Sequence, residues 1–466
     1  MWVAVGNYSN RVLGFVSTLI LAAVLDPEQF GVVAIAQMVI DLLYLCKDLG
    51  VSQALIYRKD SVEDAAGTGL ILTAGVNTGL FLVAAMIAPI VARYYEQPIL
   101  VPVIIALSSN LIWIALNSVP DAVLRKRMQF NKLVVPNVLP VIIGSAVSIW
   151  MAFAGYGVWS LVIRTQLIWV LQTALVWLIS GLKPVWRFDR RLAGELLSYG
   201  KYIVGSSIIL VLLYNIDKFY VSHFEGVAAL GLFTLASRIA SLPVTEFSHL
   251  VCRVIFPAFS AMNDDAERLR QSFLKTLRYS AIVSIPMAVG IGTFGPAVVR
   301  SVYGDKWAGM APMLQILSGY ALIRSFSTLI AETFKATGRP WLMQRYEFLR
   351  LLLVGVLGVP AIVKTGTIGL CVVIVFAYFV VLLLELRTAA HVLGFRIRQL
   401  GPVFAAPATT AAIVIPLAFA LLSLSGSASN LAVQAATGGV GALAYILILS
   451  IVDPTATADV RRILRV

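Results

Sequence analysis

Long apolar runs separated by short polar connections extend along the chain from residue 3 to residue 452. A helix needs about 20 mainly apolar residues to cross the hydrocarbon core of a bilayer. On that criterion the pattern predicts fourteen spans: 3–25, 30–52, 68–92, 98–120, 133–154, 157–181, 201–223, 227–256, 279–300, 311–334, 346–363, 367–386, 403–424 and 430–452. Helix breakers such as Asp26-Pro27 and Gly338-Arg339-Pro340 mark the connections between them.

The composition supports the same fold class. Of the 466 residues 59% are hydrophobic and 13% are charged, whereas about 25% of the residues of a soluble domain are charged. The three cysteines and three histidines are scattered and form no disulfide or metal-binding pattern, and no Gly-rich phosphate loop is present. The sequence therefore predicts an all-α integral membrane protein that has no cofactor and no metal.

The basic residues indicate how the spans are oriented. If both termini are cytoplasmic, 26 of the 36 Lys and Arg residues fall in cytoplasmic connections or the C-terminal tail, with Arg350 counted there. Four fall on the opposite side, and six lie within spans: Arg11, Arg164, Lys218, Arg238, Arg253 and Arg324. Such an excess follows the positive-inside rule. It explains the net charge of +13 without any nucleic-acid partner.

A short repeat suggests two halves. Residues 30–36, "FGVVAIA", resemble residues 230–236, "LGLFTLA", and each stretch opens an even-numbered span. Repeated halves with a substrate site near the midplane are common in secondary transporters. We therefore predict an N-terminal lobe of six helices (1–181), a cytoplasmic linker (182–200), a C-terminal lobe of six helices around the same central cavity (201–390), and two further helices with a basic tail (391–466). No connection, including 182–200 and 257–278, is long enough to form a separate domain.

Several spans carry polar residues at helical spacing, which places them on one face. Ser and Thr on such faces commonly only lock helices together. A charge at the bilayer centre costs about 3 kcal/mol and usually has a function. The candidate cavity residues are Asn7, Arg11, Asp41, Arg164, Asp217, Lys218, Arg238, Arg324 and Glu332. Asp217 and Lys218 project about 100° apart, so we expect them to bond to different partners, with Arg238 a candidate for Asp217.

Three stretches resemble a known family. They are "GFVSTLILAAVLDPEQFGVVAIAQMVIDLLYLCKDLG" (14–50), "NIDKFYVSHFEGVAALGLFTLASRI" (215–239) with "VIFPAFSAMNDDAERLR" (254–270), and "YGDKWAGMAPMLQIL" (303–317). They are similar to polysaccharide-export flippases of the O-antigen, colanic-acid and teuronic-acid type, within the multidrug/oligosaccharidyl-lipid/polysaccharide superfamily. The chain departs from the family at Leu21-Ala22-Ala23, where members usually read Leu-Ala-Arg. It also has Trp2 directly after the initiator, so either the start is assigned late or this member lacks the usual basic segment.

The resemblance implies a transporter of the bacterial cytoplasmic (inner) membrane, not an enzyme. It would carry a polyprenyl-diphosphate-linked oligosaccharide across the membrane by alternating access, with basic cavity residues pairing with the diphosphate. Membrane lipid is the second expected partner, and a polymerase and a chain-length regulator are further candidates.

Three alternatives stay open at this point. A cation-coupled multidrug antiporter of the same superfamily would depend on Asp41, Asp217 and Glu332, although cations outnumber carboxylates within the spans. A membrane polysaccharide polymerase or ligase would need a large extracytoplasmic loop, which the chain lacks. A purely structural membrane protein is disfavoured by the cost of the intramembrane charges.

Overall fold

All secondary structure in the part of the chain that the structure describes is helical. The computed structural model describes residues 2–47, 62–182, 188–190, 193, 211–424 and 431–452, except the side chains of residues 2–9, 46, 62–66, 254, 421–424, 431, 432 and 435. The helices are α1 (Trp2–Val24), α2 (Pro27–Leu43), α3 (Val62–Tyr94), α4 (Leu100–Ser108), α5 (Asn110–Lys126), α6 (Val134–Phe153), α7 (Val158–Ser180), α8 (211–224), α9 (Gly226–Ala261), α10 (Ala266–Tyr303), α11 (Met310–Ala336), α12 (Pro340–Leu393), α13 (Gly401–Leu424) and α14 (Leu431–Val452).

The described helices confirm the all-α membrane fold class. Nine of them, within the residues described, are long and apolar enough to cross a membrane, and two shorter apolar helices cover Asn10–Val24 and Ala436–Val452. Leu100–Lys126 forms one such span although it is divided at Ser109. The number of fourteen spans stays a prediction.

Helix α12 combines two of the expected spans. Its 54 residues are interrupted at Gly366, whose φ of 67° and ψ of −160° are not helical. Glycine has no Cβ and adopts this conformation without strain. The first half (340–365) and the second half (367–393) therefore contain the expected spans 346–363 and 367–386, respectively.

The connection expected at 257–278 is wrong. Helix α9 continues through Pro257 to Ala261, and α10 begins at Ala266, so only 262–265 separate the two helices. The Asp265 carboxylate accepts a hydrogen bond from the Arg268 amide at 3.0 Å and caps α10. A search for 20 apolar residues misses the first turns of α10 because they are charged and amphipathic.

The structure divides into two units, Met1–Gly231 and Leu232–Val466. In the first, α1 packs on α6 and α6 on α7, while α3 packs on both α4 and α5. In the second, α11 packs on α10 and on α12, and α13 packs on α10 and α14. The lobe boundaries predicted from sequence, 1–181 and 201–390, stay a prediction, and most of the linker 182–200 lies outside the described residues.

Two glycines of the sequence repeat meet within the first unit. Gly31 lies in the first turns of α2 and Gly231 in the first turns of α9. A Cβ on Gly31 would overlap the carbonyl oxygen of Val227, and one on Gly231 would overlap that of Pro27 and lie 3.1 Å from the Gly31 amide nitrogen. The positions related by the offset of 200 therefore allow the two backbones to touch, as small residues do at close helix crossings in membranes.

We expect Gly31→Ala and Gly231→Ala each to destabilise the protein by about 1–3 kcal/mol, because the added methyl group overlaps backbone that cannot rotate away. Thermal unfolding of the purified protein in detergent measures the change. Gly75→Ala and Gly79→Ala on α3 are matched controls, since no atom lies within 4 Å of a Cβ at either position. Equal melting temperatures for all four variants would contradict the close crossing.

Candidate functional site

The polar face of α1 contacts an arginine of α7. Arg164 is half-buried and donates from Nη2 to the Gly14 carbonyl oxygen at 3.1 Å and from Nη1 to Thr18 Oγ1 at 3.3 Å. Gly14 and Thr18 share the face of α1 on which Arg11 was expected, and Arg11 is exposed. Arg164 therefore joins two helices, and this contact gives the arginine a structural role within the span. The side chain of Asn7 lies outside the described residues.

Asp41 on α2 is half-buried and accepts a hydrogen bond from Gln37 Nε2 at 2.7 Å. The two side chains are four residues apart, as the helical spacing predicted. Farther along, the Lys47 ammonium lies 4.6 Å from the centre of the Tyr44 ring. Asp48, expected on the same face, lies outside the described residues.

Helix α8 carries Asp217 and Lys218, both half-buried. Asp217 Oδ1 accepts a hydrogen bond from the Lys218 backbone amide at 2.8 Å, and Lys218 Nζ donates to Asn215 Oδ1 at 3.2 Å. The two charges use different partners, as their angular separation predicted. The Lys218 ammonium keeps two further N–H donors, so it has the capacity to bind an anion.

The end of α8 packs against the end of α3. The Ser222 and Tyr95 hydroxyls are 2.8 Å apart, and Tyr94 OH is hydrogen-bonded to His223 Nδ1. The His223 ring stacks between Tyr94 and Phe219 with centroid separations of 5.8 and 5.9 Å. Burial raises the pKa of the Tyr95 phenol above its usual value, while the hydrogen bond to Ser222 opposes that shift. Ser222 thus has a structural contact with α3.

In the second unit, Arg238 and the serines of α9 have different surroundings. Arg238 is exposed. Ser248, farther along α9, is buried and lies 2.5 Å from Ser325 Oγ of α11, which lies 3.0 Å from Ser284 Oγ of α10. The serine cluster locks three helices together, as expected for hydroxyl groups. Arg238 lies outside this cluster.

Helix α11 carries the other two expected residues. Arg324 is half-buried and donates from Nη1 to the Tyr320 hydroxyl at 2.6 Å. Glu332 forms an ion pair with Lys335 at 2.8 Å, three residues away and near the end of the helix. The two residues lie on the same helix and are half-buried, so this ion pair gives Glu332 a local contact.

The most buried ion pairs were missed by the sequence analysis. Arg350 donates to Glu347 Oε1 at 2.9 Å and to Glu385 Oε1 at 2.6 Å, and it lies over the Tyr378 ring, 5.0 Å from the centroid. Arg350 is 3% exposed and Glu385 is 2% exposed. Counting Arg350 among the residues of a cytoplasmic connection was wrong, because α12 begins at Pro340 and buries it. A lone glutamate within the apolar run 367–386 was the available signal.

Among the described residues, no group of three His, Cys, Asp or Glu side chains could hold a metal ion. The charged groups of the described spans are instead arranged in two ways. Arg164 and Arg350 are engaged by groups on neighbouring helices or helix halves, whereas Lys218, Arg238 and Arg324 lie on faces that are exposed or half-buried. In each unit, the second set places positive charge within a span: Lys218 in the first unit, and Arg238 and Arg324 in the second.

A comparison with protein families identifies the group to which the chain belongs. Residues 20–312 match the family described as "Polysaccharide biosynthesis protein". The chain belongs to this family. The match covers more than half of the chain, from the end of α1 to the beginning of α11.

Two curated relatives carry the similarity farther. The lipopolysaccharide biosynthesis protein WzxC of Escherichia coli K12 is 26% identical over 371 residues, which cover 78% of this chain and 74% of that protein. The succinoglycan biosynthesis transport protein ExoT of Rhizobium meliloti is 26% identical over 324 residues, which cover 68% of this chain and 64% of that protein. Both relatives serve the synthesis of a polysaccharide, and one is named as a transporter.

A solved structure has the same fold. The lipid II flippase MurJ in its inward closed conformation matches with a TM-score of 0.77 and 16% identity, covering 96% of this chain and 98% of that one. This agreement extends over nearly the whole of both chains. The fold is therefore that of a polytopic membrane transporter.

We expect Arg164→Ala to lower the free energy of unfolding by about 1.5–3 kcal/mol, because hydrogen bonds from a charged donor to α1 are lost. The exposed Arg238 is the matched control, and Arg238→Ala is expected to change the free energy of unfolding by less than about 0.5 kcal/mol. Thermal unfolding in detergent compares the two. Equal losses of stability in the two variants would show that the contact of Arg164 with α1 does not stabilise the protein.

Proposed function

We propose that this protein is a flippase that moves a polyprenyl-diphosphate-linked oligosaccharide from the inner to the outer leaflet of the bacterial cytoplasmic membrane by alternating access. The proposal rests on two similarities taken together. The chain belongs to a polysaccharide biosynthesis family, and its fold matches that of a lipid II flippase over nearly the full length of both chains. A polysaccharide repeat unit attached to a lipid carrier is the substrate that is consistent with both similarities. The protein acts as a transporter and not as an enzyme.

The physical difficulty of this reaction is the diphosphate. Its negative charges must cross about 30 Å of hydrocarbon, where an unpaired charge is costly. Lys218 and Arg11 in the first unit, and Arg238 and Arg324 in the second, supply positive charge within spans. Arginine binds phosphate oxygens through two parallel N–H donors, while lysine acts as a mobile point charge. The prenyl chain remains among the lipids throughout.

The other candidate residues take different parts in this proposal. Arg164 holds α1 to α7 and so positions the helix that carries Arg11 and Asn7. Asp41 and Asp217 are hydrogen-bond acceptors that suit sugar hydroxyls. Glu332 is paired with Lys335 and has no assigned role in substrate binding. Both termini are placed in the cytoplasm on the charge asymmetry. A polymerase and a chain-length regulator would receive the translocated units.

We expect Lys218→Ala and Arg238→Ala each to slow translocation at least about tenfold, because a hydrogen bond to a charged group contributes about 1.5–3 kcal/mol and 1.4 kcal/mol corresponds to about tenfold. Proteoliposomes loaded with the lipid-linked oligosaccharide measure this rate, with an impermeant glycan-modifying reagent reporting the leaflet. Arg339→Ala removes an exposed arginine in the turn before α12 and is the matched control.

A second experiment in cells tests the function as a whole. Deleting the gene should cause lipid-linked oligosaccharide to accumulate in the inner leaflet and surface polymer to be lost, and the wild-type chain should restore both. Normal surface polymer with accumulation of cationic dyes would refute the flippase and favour a multidrug antiporter. Full translocation by the Lys218→Ala, Arg238→Ala double variant would refute the role of these cations alone.

A further inference from the structure

A buried cluster of two carboxylates and one guanidinium lies within the second unit. Glu347 and Arg350 belong to the first half of α12, and Glu385 belongs to its second half. Arg350 bridges the two acids, with distances of 2.9 Å to Glu347 Oε1 and 2.6 Å to Glu385 Oε1. The Glu347 side chain is 18% exposed, but Arg350 and Glu385 are almost fully enclosed.

The charges of this cluster do not balance. If both acids are ionised, two negative charges face one positive charge, which leaves a net charge of −1. An uncompensated charge away from water costs several kcal/mol. Water reaches the partly exposed Glu347, so the cost falls on the enclosed Glu385, where a second cation or a proton would remove it. Glu385 is the acid for which the cost is greater because it is the more deeply buried.

The oxygen that would receive the proton is identifiable. Glu385 Oε1 accepts from Arg350, but Glu385 Oε2 is buried with no hydrogen-bond partner among the described residues. Ser327 Oγ on α11 is buried and lies beside the Glu385 carboxyl. A protonated Oε2 becomes a donor, and Ser327 Oγ is an acceptor within the same enclosed space.

A metal ion suits this place less well than a proton. The guanidinium of Arg350 already holds one Glu385 oxygen and would repel a second cation. Among the described residues this place offers two buried oxygens, Glu385 Oε2 and Ser327 Oγ, whereas hard cations such as Ca²⁺ and Mg²⁺ take six or more oxygen ligands. A proton needs one acceptor oxygen and no coordination shell.

The cluster is also joined to an expected substrate-binding cation. Arg350 lies over the Tyr378 ring, and Tyr378 meets the Tyr320 ring edge-to-face at 4.7 Å between centroids. Tyr320 OH accepts the hydrogen bond from Arg324 at 2.6 Å. A change in the charge of Glu385, which Arg350 binds, is therefore transmitted to Arg324 through the contacting rings of Tyr378 and Tyr320.

We propose that Glu385 is a proton-binding site, and that the proton it exchanges with water drives the transport cycle through Arg350, Tyr378, Tyr320 and Arg324. When Oε2 takes a proton from hydronium, the cluster becomes neutral and the pull of Glu385 on Arg350 weakens. When the proton leaves to water, the negative charge returns. The titratable and charged groups that face Glu385, directly or through Arg350, are Glu347, Arg350, Tyr378, Tyr320 and Arg324. The link to transport rests on the proposed function, whereas the proton site itself does not.

The site is tested first without substrate. Infrared difference spectra of the purified full-length protein are recorded as the pH is lowered in H₂O and in D₂O. We expect a carboxylic-acid carbonyl band that appears on acidification and is absent in Glu385→Gln. Glu267→Gln is the matched control and should retain the band, since Glu267 is an exposed acid paired with Arg270. A wild-type spectrum in which no titrating band depends on Glu385 overturns the site.

A second variant distinguishes a proton site from a purely structural ion pair. In Glu347→Gln the remaining carboxylate and the guanidinium balance, so Glu385 should hold its proton less readily and the band should appear at lower pH. An unchanged titration in Glu347→Gln would contradict the charge argument. If Glu385→Gln does not fold, Glu385→Asp keeps an acid at the position and should retain a titrating band whose midpoint differs from the wild type.

Transport is tested separately in proteoliposomes with an imposed pH gradient. For one coupled proton, one unit of gradient changes the equilibrium distribution of substrate about tenfold. We expect that response in the wild type and in Glu267→Gln, and its loss in Glu385→Gln. A response retained in Glu385→Gln, or one that follows a sodium gradient instead, overturns the coupling while leaving the flippase intact. Titration of Glu385 with no translocation by the wild type overturns the proposed function and the coupling, and leaves the site intact.

Discussion

The cost of holding a charge in hydrocarbon is the constraint on which this structure depends. Every Lys, Arg, Asp or Glu inside a span must either find a partner or lie where water or substrate can reach it. The described helices use both solutions. Arg164 and Arg350 are held by groups on neighbouring helices or helix halves, while Arg238 is exposed. The same constraint that stabilises the fold therefore also separates structural charges from those available for function.

A flippase for a lipid-linked diphosphate makes direct use of this separation. Cations that were fully paired within the protein could not exchange their partners for phosphate oxygens. Lys218 donates one hydrogen bond to the neutral Asn215 amide and retains donor capacity. Neutral partners hold such side chains in place without cancelling their charge. This is the arrangement expected where an anion is bound and then released.

The buried cluster around Arg350 follows the opposite logic. It is enclosed and linked by short ion pairs, yet it carries one carboxylate more than its cation can balance. Buried ion pairs contribute little net stability once desolvation is counted, so its stabilising effect does not by itself explain the cluster. An excess acid beside a buried serine hydroxyl is better suited to exchanging a proton.

The sequence by itself determined the fold class, most helix positions and the family, because apolar length is dictated by bilayer thickness and polar breakers end each run. It also determined that Asp217 and Lys218 take separate partners, since neighbouring residues on a helix diverge. Only the tertiary structure decided which charges are paired. Glu385 lies 35 residues from Arg350 in the chain, and Gly31 lies 200 residues from Gly231. No local pattern reports such contacts, because they arise only when helices pack and exclude water from the space between them.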